Sequence, residues 1–316
     1  MRDEIEENDI EYMADYTDPP WKHFGTEIPN DATSVDQILQ TTKLDWTVEK
    51  VQNYYTWNNE TFPNNQVLIR SDTGYKLTDI SDDWKPVQNH ALMNFILSFI
   101  KTTPMSLCMA GELKGGEIVW VLAKADAGFD VFDGDIVESY ILFTNPHQYG
   151  KCFDIRFLPL RKVNNTTLTL SLQTRGELSV KINHRQKFDA SLAFETATTI
   201  NKKMKEYKLK AEFLGSKQFT KEQVEAYFME LFPAMSKKDP NGLSLSGKHA
   251  INLLEKQPGK EFAPGSWWQV FNAAVFLMDY HRARSKESLI NSAWYGPRKS
   301  FKIKAYDLAL SYAETV

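Results

Sequence analysis

Six histidines, an aspartate-rich turn and recurring basic residues are the groups in this 316-residue chain that could do chemistry. His147, in Thr144-Asn145-Pro146-His147, and His184 each fall where a strand is expected to end. Two imidazoles meeting in space could serve as an acid/base pair or as metal ligands. A histidine merely hydrogen-bonded in a loop explains each of them as well. Asp130, Asp133 and Asp135 stand within six residues of one another, where carboxylates could gather a hard cation. Ordinary Asp-Gly turn chemistry accounts for them too. Gly111-Glu112-Leu113-Lys114-Gly115-Gly116 lacks the spacing of a phosphate-binding loop and reads as a hairpin turn. No H-E-x-x-H, G-x-S-x-G or EF-hand pattern occurs, so no catalytic residue, cofactor or metal is assigned.

The basic residues recur, which sets them apart. Arg156, Arg161, Lys162, Arg175, Lys181, Arg185 and Lys187 lie in or beside the expected sheet, and Lys202, Lys203 and Lys205 on the helix that follows. Residues 151–217 carry 14 basic against 6 acidic side chains. A second set, which includes Arg298 and Lys299, flanks Trp294-Tyr295-Gly296-Pro297. Phosphates need donors and positive charge, and aromatic rings beside them can stack unpaired bases. These twelve residues are therefore the candidate nucleic-acid contacts. Lysines on an amphipathic helix are also what an ordinary solvated face carries.

The net charge of −4 conceals a split of −15 over residues 1–150 and +11 over 151–316. Such asymmetry points to an acidic arm and a basic binding surface, provided the basic segments share one face. The acidic start does not fit a secretory leader, and the most apolar stretch, Ala91 to Ile100, is about half the length needed to span a bilayer. Cys108 and Cys152 form no C-x-x-C pair and read as free thiols in a reducing compartment. The expectation is a cytoplasmic protein without membrane contact.

Three regions must position these groups. Residues 1–20 read as a flexible acidic arm, 21–215 as an α+β core domain and 216–316 as a helical region. The fold class expected is α+β, a twisted antiparallel sheet with packed helices and then a mainly helical C-terminal part. Ser34 or Thr33 should cap a short helix to Thr42, and Gln88–Ile100 carries a helical apolar face. Val67–Arg70 and Tyr75–Ile80 read as a hairpin turning at Ser71-Asp72-Thr73-Gly74. Strands are expected at 106–112, 117–123 and 136–144, with the clearest two-residue alternation at 168–182. Helices are expected at 189–214, after the capping box Thr220/Gln223, near 247–255, after Ser266/Gln269 and from about 300 to 313.

Read in order, several stretches resemble a phage/plasmid-like domain-of-unknown-function family, number 932 of its series. They are Trp21–Gly25, Leu44–Val48, Arg70–Gly74 with Leu77, Trp84–Asn89, Thr144–His147, Pro159–Arg161 with His184, Gly265–Trp268, Phe271–Ala273 and Asp279–His281. Where the resemblance leads one to expect Val-Cys-x-Asn-Thr-Leu, this chain has Val163-Asn164-Asn165-Thr166-Thr167-Leu168. The resemblance implies work on mobile-element DNA in a bacterial host. Its element order is also distantly similar to the core of single-strand annealing recombinases, which assemble as oligomers on DNA.

Three functions follow as expectations. The first is a non-enzymatic, homo-oligomeric protein that binds and anneals single-stranded DNA in phage or plasmid replication or recombination. The second is an interaction protein that binds a host or phage replication factor through its acidic half. The third is a metal-dependent hydrolase or nuclease built on His147, His184 and the aspartates.

Overall fold

The computed structural model describes residues 18–19, 21–82, 84–167, 170–171, 190–233, 242–280, 290 and 294–316. The protein is α+β. Strands β1 (Gly25–Glu27), β5 (Met105–Leu113), β6 (Ile118–Ala125), β8 (Ile136–Pro146), β9 (Asp154–Arg161) and β10 (Thr166–Thr167) form one antiparallel sheet in that spatial order. The short β7 (Phe129–Asp130) and β11 (Leu170–Ser171) pair with β8 and β9. A second sheet holds β2 (Val48–Trp57), β3 (Glu60–Arg70) and β4 (Lys76–Ile80).

Both faces of the large sheet are covered, so β6 runs apolar without alternation from Ile118 to Ala123. Val119, Val121 and Ala123 of β6 join the larger core, and Ile118, Trp120 and Leu122 join a smaller one on the opposite face. Alternate side chains of a strand point to opposite faces, so this division is the pleat itself. The larger core is built by α1 (Val35–Thr42), α2 (Asn89–Ile100), α3 (Ala190–Ser216), α4 (Lys221–Leu231), α5 (Leu245–Leu253), α6 (Trp267–Tyr280) and α7 (Pro297–Glu314). The smaller core is closed by Trp21, Ile290 and Trp294. Gly25 pairs with Gly111 there because an added Cβ at either would strike the Trp120 ring within 3 Å.

Local sequence signals set most helix starts. Ser34 accepts from the Gln37 backbone at 3.2 Å, and Thr220 with Gln223 forms a complete capping box. The hairpin turn after Arg70 places Gly74 at φ 69°, where glycine is unstrained. The core and C-terminal regions share a single buried cluster. Tyr207 of α3 stands 5.8 Å from Phe157 of β9, 6.4 Å from Trp268 of α6 and 5.8 Å from Tyr306 of α7. Lys302 of α7 pairs with Asp279 of α6 at 2.7 Å, fully buried. Residues 1–17 and the alternating stretch 172–182 lie outside the described residues. Among those described, no helix is long and apolar enough to cross a membrane.

Candidate nucleic-acid interface

Two turns and strand β9 bring basic side chains together on the smaller-core side of the sheet, beside a helix start. The β5–β6 turn is made by Lys114, Gly115 and Gly116, all left-handed at φ 53°, 65° and 99°, and Lys114 is exposed. The β8–β9 connection turns at Gly150, φ 74°, and exposes Lys151. Between them, on β9, Arg156 Nε donates to Asp154 Oδ2 at 2.6 Å and its Nη2 pairs with the same oxygen. Arg156 Nη1 donates to the Trp294 carbonyl, and the guanidinium lies 4.9 Å from the Tyr295 ring centre. Thus the first basic segment is bonded to the Trp294–Pro297 stretch that the second basic set flanks.

A cleft of about 790 Å³ opens here, lined among others by Lys114, Thr144, Gln148, Lys151, Arg156 and Tyr295. Gly296 and Pro297 complete its wall as the N-cap and first residue of α7, so that helix start turns its positive dipole end to the cleft. Three cations line it against one carboxylate, Asp154, which Arg156 already holds. The nearby Glu117 accepts from the Gln148 amide at 2.5 Å. The excess of positive charge, with an aromatic ring beside it, suits a phosphate-bearing chain. Burial is the largest influence on the Tyr295 phenol and raises its pKa, so it stays neutral beside Arg156.

The other sequence candidates are dispersed. Arg161 is 4% exposed, pairs with Asp135 at 2.8 Å and donates to the Gly259 carbonyl at 2.7 Å. Its charge is spent inside the protein, which corrects the expectation that it faces phosphates. Arg156 and Arg298 are also buried, at 9% and 8% exposure, so Arg156 offers at most its edge to the cleft. Lys299 lies partly buried in the first turn of α7, beside the cleft wall, and Lys162 is exposed just after β9. Lys202 and Lys205 are exposed on α3, and Lys203 pairs with Glu206 at 2.9 Å. Arg175, Lys181, Arg185 and Lys187 lie outside the described residues.

The α3 lysines and the cleft do not share a face. Tyr207 of α3 packs against Phe157 on the larger-core side, whereas Leu158, Ile118 and Trp294 belong to the other side. Sequence reasoning had placed Lys114 only in a hairpin turn and passed over Lys151. The common signal is a basic residue next to a turn glycine, which presents the amine at a loop tip.

The histidine and aspartate candidates serve the fold. His147 is fully buried; its Nε2 lies 3.1 Å from Asn89 Oδ1, and its ring meets Trp46 edge-on at 5.4 Å. Asn89 donates to the carbonyls of Leu44 and Trp46, Asn145 to that of Val87, and Arg70 stacks 4.3 Å over Trp46. Four of the stretches that carry the resemblance thus converge in one buried polar knot. His184 lies outside the described residues. Asp130 accepts from the Gly134 backbone at 3.2 Å, and Asp135 is taken up by Arg161 and by the Trp268 indole N–H at 2.8 Å. Among the described residues no three His, Cys, Asp or Glu side chains are grouped to hold a metal ion. Asn164 stands where the resemblance led to a cysteine. Its side chain accepts from the Thr166 hydroxyl at 2.7 Å, and its carbonyl accepts from Tyr280 at 2.7 Å.

Fold and site together define an α+β protein with a two-faced antiparallel sheet and a basic cleft at one end of it. Comparison with protein families matches residues 76–294, more than half of the chain, to a domain of unknown function (DUF932). The chain belongs to that family. Neither a search of curated proteins nor one of solved structures found a match.

Proposed function

We propose that the protein binds single-stranded DNA through the cleft bounded by Lys114, Lys151, Arg156 and the start of α7, and that it anneals or protects strands in phage or plasmid replication or recombination. The observation that carries this reading is the grouping of Lys114, Lys151 and Arg156 around one cavity whose far wall, Tyr295 to Pro297, is tied to Arg156 through the Trp294 carbonyl. The choice of DNA rests on the setting that the resemblance implies; the cleft supplies charge and an aromatic surface that any single strand would use. Arg156 is held by Asp154 and Trp294, so the exposed Lys114 and Lys151 reach the phosphates while the guanidinium fixes the wall.

Fluorescence anisotropy with a labelled oligo(dT), titrated with salt, tests it. Three to five phosphate contacts give a log–log slope of about −2 to −3.5, at about −0.7 per contact on a single strand. Duplex DNA of equal length and an RNA oligomer serve as competitors. Absence of binding at low salt overturns the reading, and tighter binding of RNA moves it to that polymer.

A further inference from the structure

The hairpin of β2 and β3 outruns its sheet. β4 pairs with β3 only as far as Gln66↔Ile80, so the stretch from Asn53 to Asn65 is two-stranded. Its tip is the two-residue turn Asn58-Asn59, at φ 48° and 62°, the mirror-image turn that matches strand twist. Tyr54, Tyr55 and Trp57 are 58%, 52% and 67% exposed. Tyr55 stacks on its cross-strand partner Phe62 at 5.5 Å, and Trp57 lies two residues on, so these three rings share one face. A two-stranded arm alone is marginal in water, and exposed aromatic surface of this extent marks an interaction site.

The arm also keeps an open edge. β2 ends its sheet, and among the described residues no strand pairs with its outer side. Natural edges are guarded by charge, proline or a bulge. A bulge does fall near Asn53, but the one lysine, Lys50, is tied back to the Asp82 carbonyl at 2.8 Å, and Pro63 stands on β3.

We infer that this arm docks a second copy of the same chain, with the two β2 edges pairing antiparallel and their aromatic faces forming one surface. Charge selects the occupant. Between Val48 and Ile69 the only ionic side chains are Glu49, Lys50 and Glu60. A nucleic acid would meet two carboxylates and a tethered amine, the wrong sign for phosphates. A nearly neutral strand meets its own copy without repulsion. An edge strand is moreover self-complementary: a two-fold axis beside it pairs each outward N–H and C=O with its counterpart.

Sedimentation velocity of the full chain over a concentration series tests this, independently of any nucleic acid. The wild type is expected to run as a dimer that dissociates on dilution. Y55K/W57K should run at the mass of one chain throughout, with the melting temperature that the wild type shows when diluted to monomer. If that pair melts early, W57K alone, beside the turn and mostly exposed, replaces it with the same expectation. A wild type that stays monomeric, a dimer whose mass ignores these variants, or rings that capture only a different protein each overturn the inference. None of these outcomes bears on the basic cleft, whose test is binding to single strands.

Discussion

The Arg161 guanidinium donates through Nε to both oxygens of the Asp135 carboxylate, at 2.8 and 3.1 Å, at a place where neither side chain reaches solvent. The Trp268 indole completes the carboxylate's shell at 2.8 Å. β9, the 131–135 turn and α6 are therefore locked by one anion. Removing one partner strands the other as an uncompensated buried charge, which costs about 3–5 kcal/mol. Arg161→Ala is expected to lower the free energy of unfolding, measured by urea denaturation, by that amount. Single-strand affinity per folded molecule should stay unchanged, because Arg161 is not at the cleft. A loss of affinity without a loss of stability would return Arg161 to the binding surface.

How far this was legible in the sequence depends on how local each cause is. Ser34, the Thr220/Gln223 box and the turn at Gly74 act within a few residues, and they give their elements correctly. β9 was not picked out as a strand, because burial on both faces erases the alternation that marks one. β2 was missed for the opposite reason: beyond Val48 nearly all of it is exposed, so no apolar stripe forms. The partner of Arg161 is 26 residues away, and that of Arg156 lies in another element 138 residues on. Spatial pairing over such distances decides which arginines are free, and composition does not carry it.

Glu138 gives the acid limb of stability. Burial acts most strongly on its carboxyl and would raise its pKa, but Lys124 at 2.8 Å and the Tyr140 hydroxyl at 2.9 Å outweigh burial and hold it below the usual value. A carboxyl depressed in the folded state contributes stability above its unfolded pKa of about 4.3, lost as pH falls through the folded value. Lys124→Met should flatten the fall in stability below about pH 4.3, measured by urea denaturation across pH. An unchanged acid limb would mean that the Lys124 contact is too screened to matter.

Cys108, on β5, offers a kinetic readout of the same sheet. Burial pushes its thiol up to about 12, and its Sγ lies 3.3 Å from the Leu122 carbonyl. Only the thiolate alkylates, so at pH 8 about one molecule in ten thousand is reactive. Iodoacetamide labelling at Cys108 is expected to be slow in the folded protein and to rise about tenfold per pH unit up to pH 11. Peptide mass mapping of the labelled site would show this. A fast, pH-independent rate would mean that labelling proceeds through local opening.

Lys114 and Lys151 carry the test of the cleft. Both are exposed at glycine-containing turns, so charge reversal leaves core and sheet ladder intact. K114E/K151E converts two cations into two anions beside Asp154. If each lysine neutralises one phosphate, the double variant loses two contacts, and its log–log salt slope becomes shallower by about 1.4. Affinity for oligo(dT) at low salt should drop by about two orders of magnitude on the same reasoning. Lys202 and Lys205 sit across the sheet on α3, and K202E/K205E is the matched control, with equal change in net charge and no place at the cleft. Equal losses from both double variants would show a diffuse response to net charge. Loss from the α3 pair alone would move the binding surface to the opposite face. Loss confined to K114E/K151E locates the strand in the cleft between the two turns and the start of α7.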